Sequence, residues 1–277
     1  MYTGDDVNSY VTLVANADYV LGARALARSL RMCQAEWPLT ALVVQDVPGL
    51  DELAALGCAL LHADPLPLSE NFRARHSRQS QHTHAPFTKG TKPQFHDPLH
   101  NFVKLRLWEL EQFETVVFLD ADVLVVQNID RLFRYPEFSA APNVYESLVD
   151  FHRLNSGVFV ARPKRRTFDA MLERLDRPDV FWRRTDQTFL ETYFPGWHGL
   201  PYIYNTLQYV WFNLPALWRW EAVRVIHYQY EKPWERDHPK RDRLGPLIDA
   251  WWHVLEHGQL PTVLPDPPNG SKGAHAG

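Results

Sequence analysis

Val116-Val117-Phe118-Leu119-Asp120-Ala121-Asp122 runs four apolar residues straight into two carboxylates. An unbroken apolar run of this kind reads as a strand covered on both faces, as in the middle of a parallel sheet. The carboxylates follow at its C-terminal end, where open α/β sheets bind their ligands. Side chains at i and i+2 of an extended segment point the same way, so Asp120 and Asp122 share a face. Residues 123–126 then resume the apolar character.

The chain upstream supplies the neighbours of that strand. Residues 10–15 (Tyr-Val-Thr-Leu-Val-Ala) read as a strand, and 20–32 as a helix with Leu21, Ala25, Leu26 and Leu30 on one face. Residues 39–45 form the next strand, 50–56 a helix ending at Gly57, and 58–62 another strand. This alternation predicts an α/β fold: a mostly parallel, mixed central sheet with helices on both faces. Downstream, 102–111 reads as a helix and 155–161 as a strand. Pro163 opens a helix carrying Phe168, Met171, Leu172 and Leu175 on one side. Helices are expected at 186–193 and 246–256, and a late strand at 223–227. Residues 71–101 hold Arg73, Arg75, Arg78, Lys89, Lys92 and five histidines with little apolar matter. That predicts a flexible loop over 71–100, a lid or acceptor loop. The Pro/Gly-rich residues 261–277 predict a disordered tail.

Composition narrows the class. The chain has 277 residues, 45% of them hydrophobic and 22% charged, which suits a folded domain with a substantial core. A net charge of −4 argues against a nucleic-acid partner. No run reaches the roughly 18 apolar residues of a membrane span, and the polar start predicts no signal peptide. Cys33 and Cys58 form neither a disulfide framework nor a metal-type spacing. A soluble, cytoplasmic protein is expected. The Trp-rich region 211–252 could bury a homodimer face.

The paired carboxylates carry the chemistry. Mg²⁺ or Mn²⁺ takes oxygen ligands from carboxylates and phosphates together, and neutralises a diphosphate that must depart. A strand followed by Asp-x-Asp also opens the haloacid-dehalogenase-type phosphatases, where the first Asp is a nucleophile. In those proteins it stands near the start of the domain, and no later acidic pair is visible here. Further signals are Asn155-Ser156-Gly157-Val158-Phe159, Asp186-Gln187, and His227 followed by Lys232-Pro233-Trp234. Singly none is decisive; in this order after Asp-x-Asp they are specific.

Together these segments resemble the family 8 retaining glycosyltransferases, the glycogenin and galactinol synthase group, over about residues 10–252. The resemblance implies a GT-A-type fold in one domain over 8–260, with a nucleotide-binding half (8–126) and a sugar and acceptor half (127–260). It implies a UDP-sugar donor, UDP-galactose or UDP-glucose. Leu13, Ala15, Asn16 and Tyr19 would surround the base and ribose, and Lys104 would reach the donor. Asp120, Asp122 and His227 would hold the metal, with Ala121 between them at the donor. An imidazole ligand favours Mn²⁺, with Mg²⁺ as the alternative. Asn155 and Ser156 would face the donor sugar, Asp186 and Gln187 the anomeric carbon, and Lys232 the diphosphate. Two departures stand out. The segment between His227 and Lys232 is one residue shorter than the family's and lacks its Gly. The position of the tyrosine that glycogenins glucosylate falls on Trp211-Phe212, with Tyr209 nearby. A small polyol or sugar acceptor, myo-inositol first, is therefore expected, with a self-glucosylating primer as the alternative.

Overall fold

The computed structural model describes residues 7–86 and 88–268. Strands β1 (Asn8–Val14), β2 (Leu39–Val43) and β3 (Ala59–His62) alternate with helices α1 (Ala17–Met32) and α2 (Leu50–Ala55). Short helices α3 (Glu70–Arg75) and α4 (Arg78–His84) and a 3₁₀ helix (Pro98–Glu109) lead to β4 (Thr115–Leu119) and β5 (Val123–Val125). Then come β6 (Ser139–Pro142), β7 (Leu154–Ala161), α5 (Arg165–Leu175), α6 (Asp186–Tyr193), β8 (His198–Gly199) and β9 (Thr206–Leu207). The chain closes with α7 (Val210–Asn213), β10 (Val225–His227) and α8 (Arg241–His257).

Seven strands form one sheet in the order β3-β2-β1-β4-β7-β6-β8. The pairs β2–β3, β1–β2, β1–β4 and β6–β8 are parallel, while β4–β7 and β6–β7 are antiparallel. The mostly parallel, mixed sheet expected from the sequence is the one observed. β4 is central and every residue in it is buried. Val116 and Phe118 enter a core with Trp108, Phe159 and Phe168; Val117 and Leu119 enter the other, with Tyr10, Leu26 and Val160. This alternation is why the strand had to be apolar throughout.

A second sheet, β5-β10-β9, leaves the end of β4. β5 and β10 pair antiparallel with His227 opposite Val123. The chain turns between them and β4, with the Val123 N–H bonded to the Asp120 carbonyl at 3.1 Å. Asp120 and Asp122 thus lie in a turn, not the extended segment the spacing suggested. α1 closes over this turn at Gly22, where a Cβ would stand 2.3 Å from the Ala121 carbonyl oxygen.

Several elements differ from expectation. Residues 71–101 are not structureless. Ser69 caps α3 and Ser77 caps α4 through their hydroxyls, and Ser69 also bonds Asp176 through its hydroxyl and N–H. The expected helix at 102–111 is a 3₁₀ helix beginning at Pro98, capped by Asp97. β6, Ser-Ala-Ala-Pro, has almost no strand propensity and exists because β7 pairs with it. α8 starts at Arg241 and runs through Pro246, which forfeits one hydrogen bond while Leu244, Leu247 and Trp251 pack inside. Trp211, Trp218 and Trp251 of the Trp-rich region are buried in the chain's own third core. Of the expected tail, 269–277 lie outside the described residues; in 261–268 the Pro265 carbonyl accepts from the Trp220 indole at 2.8 Å. Among the described residues no helix is long and apolar enough to cross a membrane.

His76 ties α3 to the far half of the chain. Its Nδ1 lies 3.0 Å from the Phe72 carbonyl, so it donates there, and Nε2 accepts the Trp182 N–H at 2.9 Å. Burial pushes its pKa down from 6.5 to about 4. The unfolded chain binds a proton in that interval that the folded chain refuses. The contribution to stability is therefore full above pH 6.5 and is lost as pH falls toward 4. Urea unfolding should show a loss on the order of 1–3 kcal/mol over this window, and His76→Asn should flatten that part of the profile. An unchanged slope in the variant would remove His76 as the cause.

Candidate active site

A cavity of about 490 Å³ opens at the C-terminal end of β4, where the two sheets part. Leu13 and Ala15 from the end of β1, Tyr19, Lys104, the Asp120-Ala121-Asp122 turn, Asn155 to Gly157, Asp186, Gln187 and His227 all line it. Leu13 and His227, far apart in the chain, meet here because parallel strands deliver their C-terminal ends to one edge.

Ligand atoms of Asp120, Asp122 and His227 lie within 4.8 Å of one another. His227 arrives from β10, whose register opposite β5 fixes its distance from Asp122: Nε2 is 3.4 Å from one Asp122 oxygen and 3.8 Å from Asp120. Behind it is a buried chain of amides. Asn155 Oδ1 accepts from the Gly157 N–H and from Asn205 Nδ2, both at 2.9 Å. Asn205 Oδ1 is then left to accept from His227 Nδ1 at 2.8 Å. The proton sits on Nδ1, and the Nε2 lone pair faces the carboxylates, as a metal ligand requires. Gly157 has no alternative here, because a Cβ would stand 2.3 Å from His227 Cε1. Two carboxylates and one imidazole, gathered with the imidazole in the metal-binding tautomer, form a donor set that fits a divalent transition ion.

Buried lysines neutralise the acids. Lys104, from the 3₁₀ helix, bridges Asp120 at 2.8 Å and Asp186 at 3.1 Å. Burial alone would lower its pKa, but the two carboxylates prevail and hold the ammonium well above its ordinary range. Lys232 is fully buried and bonds Asp122 and the Tyr228 carbonyl. Burial would raise the Asp122 pKa, yet the Lys232 ammonium keeps it well below the carboxylate range. Asp186 begins α6 and accepts from Ser156 at 2.7 Å and from Thr185 at 2.9 Å. Thr185 adopts φ +50, a conformation that a β-branched residue rarely takes, and Asn101 donates to its hydroxyl at 3.0 Å. Such strain is held in place by its surroundings and clusters at working sites.

The structure brings together most of the residues singled out in the sequence. Asn16 is not at the cavity wall. It caps α1 by accepting from the Tyr19 N–H at 3.3 Å, and its amide donates to the Phe95 carbonyl at 3.0 Å. Lys232 is also absent from the wall and stands behind Asp122. Asn155 reaches the cavity, but its amide is committed to positioning Asn205, and its Nδ2 donates to Asn143 at 3.0 Å. Residues to which the sequence reading assigns no individual role are Asn143 and Asn205, the half-buried Lys92, and His96, whose Nδ1 is 3.2 Å from the Tyr19 hydroxyl; the last two enter it only as part of a lid or acceptor loop. An isolated Asn or Lys carries no spacing that could have marked it.

Known proteins share this architecture. A model of glycosyl transferase family 8 matches residues 10–138. Galactinol synthase 4 of Arabidopsis thaliana is 27% identical over 295 residues, covering 91% of this chain and 82% of that protein. The crystal structure of galactosyltransferase LgtC with donor and acceptor sugar analogs superposes with a TM-score of 0.61 at 16% identity, covering 92% of this chain and 97% of that one. The apo glycosyltransferase GlyE of Streptococcus pneumoniae TIGR4 gives 0.61 at 17% identity, over 89% of this chain but only 59% of that chain. The sheet order, the Asp-Ala-Asp turn at the end of its central strand and these likenesses agree: the chain is a glycosyltransferase of GT-A fold, similar to glycosyl transferase family 8 over residues 10–138.

Proposed function

We propose that this enzyme is a retaining hexosyltransferase that takes UDP-galactose or UDP-glucose and transfers the hexose to a small polyol or sugar, with myo-inositol the first candidate. The observation that carries this reading is the Lys104–Asp186 ion pair facing the same cavity as Asp120, Asp122 and His227. It sets an acid for the sugar beside a metal-type donor set for the diphosphate. Asp120, Asp122 and His227 would hold Mn²⁺, which would neutralise the diphosphate as UDP departs. The half ending at residue 126 would hold the nucleotide, with Leu13, Ala15 and Tyr19 around uridine. The remainder would hold the sugar and acceptor. Lys232, now paired with Asp122, would turn its charge to the diphosphate once a metal shares that carboxylate.

Asp186 serves better as a stabiliser of positive charge than as a nucleophile. One of its oxygens accepts from Ser156 and Lys104, the other from Thr185. A carboxylate so saturated is a poor nucleophile, while its fixed charge suits an oxocarbenium-like centre. The acceptor hydroxyl would attack from the face that UDP leaves, and the departing phosphate would take its proton. A separate acceptor is favoured over self-glucosylation because Tyr209 is buried, with its hydroxyl donating to Glu231 at 2.5 Å. The galactinol synthase likeness over 91% of the chain points the same way.

Three measurements test the reading. In a UDP-sugar panel with Mn²⁺, UDP release from UDP-galactose should rise at least about tenfold on adding myo-inositol; a protein that instead gains hexose mass on itself would be a primer. Asp122→Asn preserves shape but removes a charge, and should lower Mn²⁺-dependent UDP release by about 100-fold or more. Activity within twofold, in a folded variant, would sink the metal assignment. Asp186→Asn should lose roughly 10²- to 10³-fold in kcat with donor affinity nearly unchanged. Retained kcat would take Asp186 out of the chemistry.

A further inference from the structure

One cation on the cavity wall has no counter-ion. Lys92 is half-buried, and among the described residues its ammonium makes no ion pair and no hydrogen bond; its contact is the face of Tyr230, 5.5 Å from the ring centre. A lysine free to swing would turn to water. Here the backbone that carries it is fixed on three sides. The Thr91 N–H donates to the Glu231 carboxylate at 2.8 Å. Glu231 is itself buried and held by Lys240 and the Tyr209 hydroxyl, each at 2.5 Å. Gly90 packs so closely that a Cβ would stand 2.2 Å from the Tyr209 hydroxyl and 2.7 Å from Tyr230 Cγ. Arg78 clasps the far side, donating to the carbonyls of Lys92 at 3.2 Å and Pro93 at 2.7 Å. The strap therefore ends on a lysine aimed into the cavity.

Electrostatics define what it awaits. Burial first, and the Lys232 charge second, push the Lys92 pKa down to about 7, while Asp122 and Asp120 act on it in the opposite direction. An ammonium in that position gains most from an added anion. Charge counting identifies the anion. A divalent ion would cancel Asp120 and Asp122, and Lys104 is committed to Asp120 and Asp186. The diphosphate of a nucleotide sugar brings about two further negative charges. Arg183 also lines the cavity but is exposed, and Lys232 and Lys92 are the lysines left to meet them.

We propose that Lys92 is a diphosphate-binding residue, delivered to the donor by a strap over residues 88–92 that Glu231 pins in place. The assignment rests on the nucleotide-sugar reading above. The strap docks on the segment from Tyr228 to Glu231, where the chain is one residue shorter than the family pattern. Tyr230 there adopts φ +71, and its ring and Glu231 form the surface that carries Gly90 and Thr91. A cation from the strap compensates for phosphate contacts that this shortened segment lacks.

Calorimetric titration with UDP and with uridine, both in Mn²⁺, tests this. Lys92→Met should bind UDP about tenfold more weakly or worse, with uridine affinity within about twofold and an unchanged melting temperature. Lys92→Arg should recover most of the loss. Gly90→Ala, which displaces the strap, should weaken UDP in the same direction, and its effect should not add to that of Lys92→Met. UDP affinity in Lys92→Met equal to wild type, or an equal loss for uridine, would overturn the assignment. If the wild-type protein binds neither UDP nor uridine, the nucleotide-sugar reading itself fails.

Discussion

Three carboxylates, Asp120, Asp122 and Asp186, converge where the central strand ends, and the side chains of Asp122 and Asp186 are almost wholly shielded from water. Acids this close and this buried stay ionised only if cations are buried with them. Lys104 and Lys232 meet that demand, each reaching its acids from a different part of the chain. The arrangement is costly to interrupt: removing one partner of a buried pair leaves an uncompensated charge, typically about 3–5 kcal/mol. The sheet, the 3₁₀ helix and the segment 228–232 after β10 are accordingly constrained to deliver these side chains to one point.

Backbone closeness makes the delivery possible. Gly22 lets α1 lie against the carbonyl of Ala121, and Gly157 leaves room for the His227 ring. Both work by the absence of a Cβ rather than by an unusual dihedral angle. The amide chain Asn143–Asn155–Asn205 then sets the imidazole tautomer. A single histidine at a strand end gains a defined donor and acceptor side from three buried residues, none of which touches the carboxylates. The strained Thr185 does the equivalent for Asp186. Rigidity of this kind gives preorganisation, since dipoles fixed in folding need not reorient during reaction.

Much of this was legible in the sequence. Continuous hydrophobicity identified β4, and period-3.6 patterning identified α1, α5 and most of α8, because each signal follows from which face an element must bury. Asp120, Asp122, His227, Asp186 and Lys104 were legible because their types and order carry chemistry. The sequence also determined the parallel alternation that places a site at the strand ends. Tertiary structure alone decided the rest. β6 exists through pairing, not propensity, and α3 and α4 emerge from residues whose polarity hid two serine caps. Asn16 turned out to be a cap and Lys232 a partner of Asp122, since a side chain's hydrogen bonds depend on neighbours far away in sequence. Lys92 had no motif at all. What fixes it over the cavity is a glycine beside it and a glutamate 139 residues later, and only the folded chain brings those together.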